Sequence, residues 1–236
     1  AGGCMCGLSS ETAGLEHGSA NRAGSALFLF LLFVMLAVIL SMWLGYLWRN
    51  SLFIAVFSAA GAYLLYRRFN PGFKVSRCAL LLALLMFVLC MFPEILIHPF
   101  YTATADTAQT IVLRVIGAEE RMPLTYEPYA DIVAGYYLGY HAFVRIFVDL
   151  LPLLPDYLWL WFWGAVFASL ELLLVYLLAK EFFRSEHAGV YAAILFIGTK
   201  SVFQNMYWAM HPMIAGMVFL LFALLLYMRR NLLVYF

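Results

Sequence analysis

Residues 157–179 read YLWLWFWGAVFASLELLLVYLLA, an apolar run in which Glu171 is the only charged side chain. A helix needs about 20 apolar residues to cross the hydrocarbon core of a bilayer, because each residue advances it by about 1.5 Å. Five further runs fit the same reading, the second of them short: residues 26–48, 51–66, 78–97, 187–204 and 213–228. The pattern predicts an all-α, polytopic membrane helix bundle with about six spans.

The composition of the whole chain supports this class. Hydrophobic residues make up 66% and charged residues 11% of the 236, and the mean hydropathy is +0.91. A soluble domain is about half apolar and a quarter charged, so we expect membrane lipid to cover much of this surface. The net charge of +1, without a basic patch, argues against a nucleic-acid partner.

Basic residues indicate how the spans are oriented. They gather in three loops, at 67–77, 180–184 and 229–230, and loops rich in lysine and arginine stay in the cytoplasm. The segment 98–156 has no lysine and more acidic than arginine side chains, which is typical of an extracytoplasmic loop. Arg49 and Lys200 are the exceptions at the outer face.

The predicted organisation has four parts. Residues 1–25 are small and polar and are interpreted as a disordered tail or a cloning remnant. Three N-terminal spans cover 26–97, the extracytoplasmic loop with its juxtamembrane helices covers 98–156, and three C-terminal spans cover 157–236. Residues 131–151 are predicted to be an amphipathic helix on the outer membrane surface, with His141, Arg145 and Asp149 on its polar face.

Asp106 is the main candidate for chemistry in the outer segment. It opens a predicted short helix over residues 106–116, which Gly117 ends. Asp106-x-x-Gln109 is a variant of the capping box, so a structural role at the helix start is the simplest reading. The two roles are compatible, because a carboxylate at a helix N-terminus is favoured in the ionised form that a general base requires.

The order of motifs resembles a known enzyme class. A span leads to an outer Asp106, followed by Glu-Arg-Met-Pro (120–123), Tyr-Glu-Pro-Tyr (126–129) and Gly-Tyr-Tyr-Leu-Gly-Tyr-His (135–141). A later span ends in Tyr-Leu-Leu-Ala-Lys-Glu-Phe-Phe-Arg (176–184). Over about residues 78–230 the chain is similar to the N-terminal half of the GT-C membrane glycosyltransferases, which include the protein O-mannosyltransferases and the lipid A aminoarabinose transferase.

The resemblance implies transfer of a sugar from a polyprenyl-phosphate donor to an acceptor at the extracytoplasmic face of a plasma (inner) membrane or an endomembrane. It implies that Asp106 is catalytic, and it leaves a divalent metal ion open as a cofactor. Arginine suits bidentate phosphate recognition, and acids and a histidine accompany the arginines in this segment. The candidate substrate-binding residues are Arg114, Glu119, Glu120, Arg121, His141 and Arg145.

The chain departs from that family in three ways. Asp106 lacks the second acid that many members have nearby, and three predicted spans rather than one precede the loop. Most members also continue for several more spans, whereas this sequence ends at Phe236. We therefore expect a fragment or one part of a split enzyme. The alternative is a non-catalytic membrane scaffold or lipid-binding subunit that works with a partner membrane subunit; a transporter is the third reading.

Other polar residues near the spans are weaker candidates. An acid within a span, such as Glu171, is costly and therefore marks a functional site by default, although a hydrogen bond to a neighbouring helix is the alternative. Glu94 and His98 lie close to the outer face, as does His211, which begins the last span and is expected to close over the same cavity as Asp106.

Overall fold

The structure is a computed structural model in which helices dominate. It describes residues 56, 60, 61, 63, 64, 75–97, 104–118, 125–126, 130–133, 138–199 and 211–229. The predicted tail and the first predicted span lie outside these residues. Within the second predicted span, the described residues are helical.

Six helices and one small hairpin follow one another along the described chain from residue 75 onward. In chain order they are α1 (Arg77–Ile97), α2 (Thr104–Ala118), β1 (Thr125–Tyr126), β2 (Ala130–Val133), α3 (Leu138–Leu150), α4 (Asp156–Phe183), α5 (Glu186–Gly198) and α6 (His211–Arg229). The two strands pair antiparallel, with Tyr126 opposite Ala130. Apart from this hairpin, the described residues confirm the all-α class.

Helix α4 is the central element, packed against α1, α5 and α6. It starts after Pro155, and a proline before the first turn costs no intrahelical hydrogen bond. It ends at Arg184, whose φ of 50° places it in the left-handed region that commonly terminates helices. The Ser185 side chain then accepts a hydrogen bond from the Ala188 N–H and starts α5. This short turn folds α5 back along α4.

The packing of α4 and α5 is close at one glycine. A Cβ atom on Gly189 would lie 2.8 Å from the carbonyl oxygen of Tyr176, so no larger residue fits without a shift of the backbone. The Lys180 ammonium lies 3.6 Å from the Glu186 carboxylate beside this turn. Because Gly189 follows the turn closely and Tyr176 precedes it closely, the two helices run antiparallel.

Helices α4 and α6 run side by side with their N-terminal ends together. His211, the first residue of α6, lies against Gly164 and Trp161 in the first third of α4. The two helices therefore run parallel, as two spans separated by one other span would.

One described helix, α4, is both long enough and apolar enough to cross a membrane. Shorter apolar helical stretches cover Arg77–Phe92, Glu186–Gly198 and His211–Leu225. Helix α1 also exposes a row of large apolar side chains: Leu80, Leu81, Leu84, Leu85, Val88, Leu89 and Phe92. The count of six spans stays a prediction.

Three predicted helix boundaries in the outer segment were wrong. Residues 130–133 form β2, and the helix expected from residue 131 begins only at Leu138. The β-branched Ile132 and Val133 favour a strand, and Gly135 is unfavourable inside a helix. Helix α2 begins at Thr104, two residues before the predicted start, and it continues through Gly117 to Ala118, past the predicted end. Asp106 therefore lies within its first turn, and the predicted capping box at Asp106 was wrong.

Candidate functional site

Helix α2 carries Asp106 near its N-terminal end and is anchored by the residues that follow. Val112, Leu113, Val115 and Ile116 are buried, and they fix the second half of the helix against α3 and α4. Gln109 is buried as well, one turn after Asp106. The backbone position of Asp106 is therefore set by a packed helix, while its side chain lies outside what the structure describes.

His141 does not lie on a solvated face, contrary to the expectation of a polar stripe on α3. Its side chain is fully buried, and its Nε2 atom is hydrogen-bonded to Oε1 of Gln109. Ala142, Phe143 and Val144 are buried too, so α3 is covered by protein around most of its circumference. The sequence periodicity was right for Arg145 and Asp149 and wrong for His141, because α2 covers the first turn of α3.

The two described arginines of the outer segment pair with acids. Arg145 reaches the Asp149 carboxylate one turn further along α3, with a nitrogen–oxygen distance of 2.6 Å. The Nε of Arg114, on α2, lies 3.5 Å from the carboxylate of Asp156 at the start of α4. Both pairs are partly exposed, so each contributes little to stability, and the guanidinium groups remain reachable from solvent.

Tyr140 connects α3 to α4 through a buried hydrogen bond. Its hydroxyl donates to the carbonyl oxygen of Leu160 at 2.6 Å. Burial raises the pKa of the Tyr140 phenol well above its usual range, because the phenolate would lose its hydration. The hydroxyl therefore stays protonated and keeps this bond.

His211 lies beside this contact at the junction of α3, α4 and α6. Its ring stacks on Tyr140 at a centroid distance of 5.9 Å and meets Trp161 edge-on at 5.3 Å. The side chain is fully buried, and within the described part of the chain neither ring nitrogen has a hydrogen-bond partner. His141 is close enough to interact with it electrostatically.

Two hydrogen bonds and a ring contact thus connect α2, α3, α4 and α6. Gln109 on α2 is bonded to His141 on α3, and the adjacent Tyr140 is bonded to the Leu160 carbonyl on α4 and stacks on His211 of α6. Sequence reasoning considered Gln109 only as part of a capping box. Its partner His141 lies 32 residues later in the sequence, and local sequence patterns do not predict a contact between residues so far apart.

The remaining candidates fall into two groups. Glu171 is buried in the middle of α4, fifteen residues after Asp156 and twelve before Phe183. Glu119, Glu120, Arg121 and His98 lie outside the described residues, as does the side chain of Glu94. Within the described ranges, no group of three or more His, Cys, Asp or Glu side chains is arranged to hold a metal ion.

We compared the chain with known protein families, curated proteins and solved structures. The chain matches no protein-family model, no curated protein and no solved structure.

Proposed function

We propose that the chain is a membrane glycosyltransferase of the GT-C type, or one part of such an enzyme, which uses a polyprenyl-phosphate sugar as donor. The observation that carries the proposal is the place of Asp106, in the first turn of a helix that begins soon after the apolar helix α1 ends. The positive end of the helix dipole favours a carboxylate there. The resemblance in motif order is the second support.

The proposed reaction is a single displacement at the anomeric carbon. The hydroxyl oxygen of the acceptor attacks that carbon while its proton passes to the Asp106 carboxylate. The bond between the anomeric carbon and the phosphate oxygen breaks, and polyprenyl phosphate leaves with the electron pair. Arg114 and Arg145 are the described cations of this segment that can stabilise the leaving phosphate, by exchanging an acidic partner for it.

The second candidate is a non-catalytic scaffold or lipid-binding subunit, and one observation favours it. Arg114, Arg145 and His141 all have partners inside the chain already. A residue that must bind substrate first has to release such a partner, whereas a scaffold keeps it. A catalytic Asp106 and a purely structural Asp106 make different predictions, so one substitution separates the two functions.

Asp106→Asn is that substitution. Asparagine has nearly the shape of aspartate but cannot accept the proton. Because Asp106 is the third residue of α2, the change also removes a charge that the helix dipole favours by about 0.3–1 kcal/mol. We expect a small fall in the thermal unfolding temperature and a sugar-transfer rate lower by about 10²–10⁴-fold, the usual loss for a general base. The measurement is release of polyprenyl phosphate from labelled polyprenyl-phosphate monosaccharides by the purified chain, in membranes that supply acceptors.

Glu186→Gln is the control. It removes one carboxylate from an exposed ion pair with Lys180, at the turn between α4 and α5 and outside the proposed site, so we expect transfer within about two-fold of wild type, as for a pair worth under about 1 kcal/mol. Transfer by Asp106→Asn at the wild-type rate would refute the catalytic assignment. A wild-type chain that transfers no sugar would favour the scaffold.

The proposed localisation is an integral protein of the plasma (inner) membrane or an endomembrane, with the Asp106 segment on the extracytoplasmic side. Its support is the distribution of basic residues together with the apolar surfaces of α1 and α4. We expect an impermeant thiol reagent added from outside to label a cysteine at Thr125 but not one at Ser76, in a chain whose native cysteines are replaced. The reverse labelling would invert the orientation.

A further inference from the structure

A buried contact between α2 and α3 lies close to the candidate base Asp106. Gln109 and His141 are both more than nine-tenths buried, and their side chains are hydrogen-bonded to each other. Gln109 lies three residues after Asp106 on the same helix, so the contact is made within one turn of the candidate base. No described apolar anchor of α2 lies closer to Asp106, because the buried aliphatic residues begin at Val112.

A second contact holds the opposite end of α2. Arg114 pairs with Asp156 at the start of α4, two turns after Asp106. This pair is exposed, with 59% of the Arg114 side chain accessible, so it restrains the helix weakly. The buried aliphatic residues from Val112 onward anchor the second half of α2, and the Gln109–His141 bond is the described buried contact nearest to its first turn.

His141 is itself held in place on two sides. The adjacent Tyr140 is bonded to the Leu160 carbonyl of α4, and its ring stacks on His211 of α6. Through His141 and the adjacent Tyr140, Gln109 on α2 is thus connected to α4 and α6.

We propose that Gln109 and His141 are positioning residues, whose hydrogen bond orients the first turn of α2 and with it Asp106. The catalytic part of this inference rests on the proposed function. It replaces the predicted substrate-binding role of His141 with a role in positioning the base Asp106. A displacement of about 1 Å at a reacting group can cost about 10²-fold in rate, so a bond of this kind matters far more for transfer than for folding.

The test compares the single variants Gln109→Leu and His141→Phe with the double variant. Each single variant leaves one buried polar group without its partner, which lowers the unfolding temperature. The double variant removes both polar groups, so we expect its unfolding temperature to recover most of the loss. The transfer rate should fall by about 10- to 100-fold in all three variants, in kcat rather than in KM for the donor.

A spin label gives a reading that does not depend on activity. With the native cysteines replaced, a nitroxide on Thr107→Cys reports the mobility of the first turn of α2. We expect greater mobility in both single variants and in the double variant. If transfer and label mobility return to wild-type values together with the unfolding temperature in the double variant, the pair is only structural and the proposal is overturned.

Met86→Ala is the control for general loosening of the fold. It removes a fully buried side chain from α1, which packs mainly against α4 and α5. It should lower the unfolding temperature and leave kcat and the Thr107 label unchanged; an effect as large as that of His141→Phe would refute a specific role of the pair. If the wild-type chain transfers no sugar, the proposed function fails, and the label alone decides whether the pair orients the turn.

Discussion

Helices α1 and α4 are built from the same kinds of residue, but they meet different surroundings. Helix α4 is covered by protein along most of its length, from Trp159 to Leu177. Helix α1 buries one stripe and exposes the opposite one. The buried stripe consists of Ala79, Ala83, Met86 and Cys90. An apolar sequence therefore indicates that water is excluded, and it leaves open whether protein or lipid excludes it.

Residue size shows the same contrast. The buried stripe of α1 has two alanines, which let α4 approach, and the exposed stripe is leucine-rich. Small residues at helix contacts and large aliphatic ones outside are typical of membrane helices, because lipid tails provide no hydrophobic drive for helix association. This pattern supports lipid as the medium around the exposed stripe of α1.

Among the predictions that follow, we expect the largest difference in stability between truncations in the buried stripe and in the exposed stripe of α1. Met86 is fully buried and Leu84 is 59% exposed. We expect Met86→Ala to destabilise the fold by about 2–5 kcal/mol, since it leaves a cavity against the neighbouring helices. Leu84→Ala should cost less than about 0.5 kcal/mol, as exposed substitutions usually do. Unfolding in a mild detergent measures both, and equal losses would show that α1 has no free stripe.

The close approach of α4 and α6 at Gly164 predicts a smaller loss of stability on substitution. A Cβ on Gly164 would lie 2.5 Å from the His211 ring, which cannot retreat easily because Tyr140 and Trp161 pack against it. We expect Gly164→Ala to destabilise the fold by about 1–3 kcal/mol, the usual cost of overpacking.

Gly216 on α6 is the matched control for that substitution. A Cβ there meets no atom within 4 Å, so Gly216→Ala should instead stabilise the helix by up to about 1 kcal/mol, through its better helix propensity. Thermal unfolding of the two variants side by side gives the comparison. A neutral Gly164→Ala would mean that α4 and α6 are further apart at His211 than the structure has them.

Much of the helix pattern was predictable, since it depends on residues close together in the chain. The predicted span at 157–179 corresponds to α4 (Asp156–Phe183), and that at 78–97 to α1. The outer segment was harder. There the runs are short, and a few β-branched residues and a glycine turned a predicted helix start into the strand β2. The helix over 106–116 was found, with its start and its end each misplaced by two residues.

In the candidate site, too, the residues marked by local sequence features were predicted, and those defined by contacts between helices were not. Asp106 was singled out from its place between an apolar run and a short helix, and both of those features are local. The role of His141 was not visible, because periodicity on α3 shows which residues share a face and not which helix will cover that face. Gln109 and His211 acquire their meaning only from neighbours on other helices.

The sequence by itself determined the helical class, the apolar character of the chain and the position of Asp106 near a helix start, because hydropathy and helix signals act over a few residues. Only the tertiary structure decided that His141 faces Gln109, that the N-terminal ends of α4 and α6 meet at Gly164, and that α1 keeps one apolar stripe uncovered. These outcomes depend on how whole helices pack, and packing selects among faces that the sequence makes equally apolar.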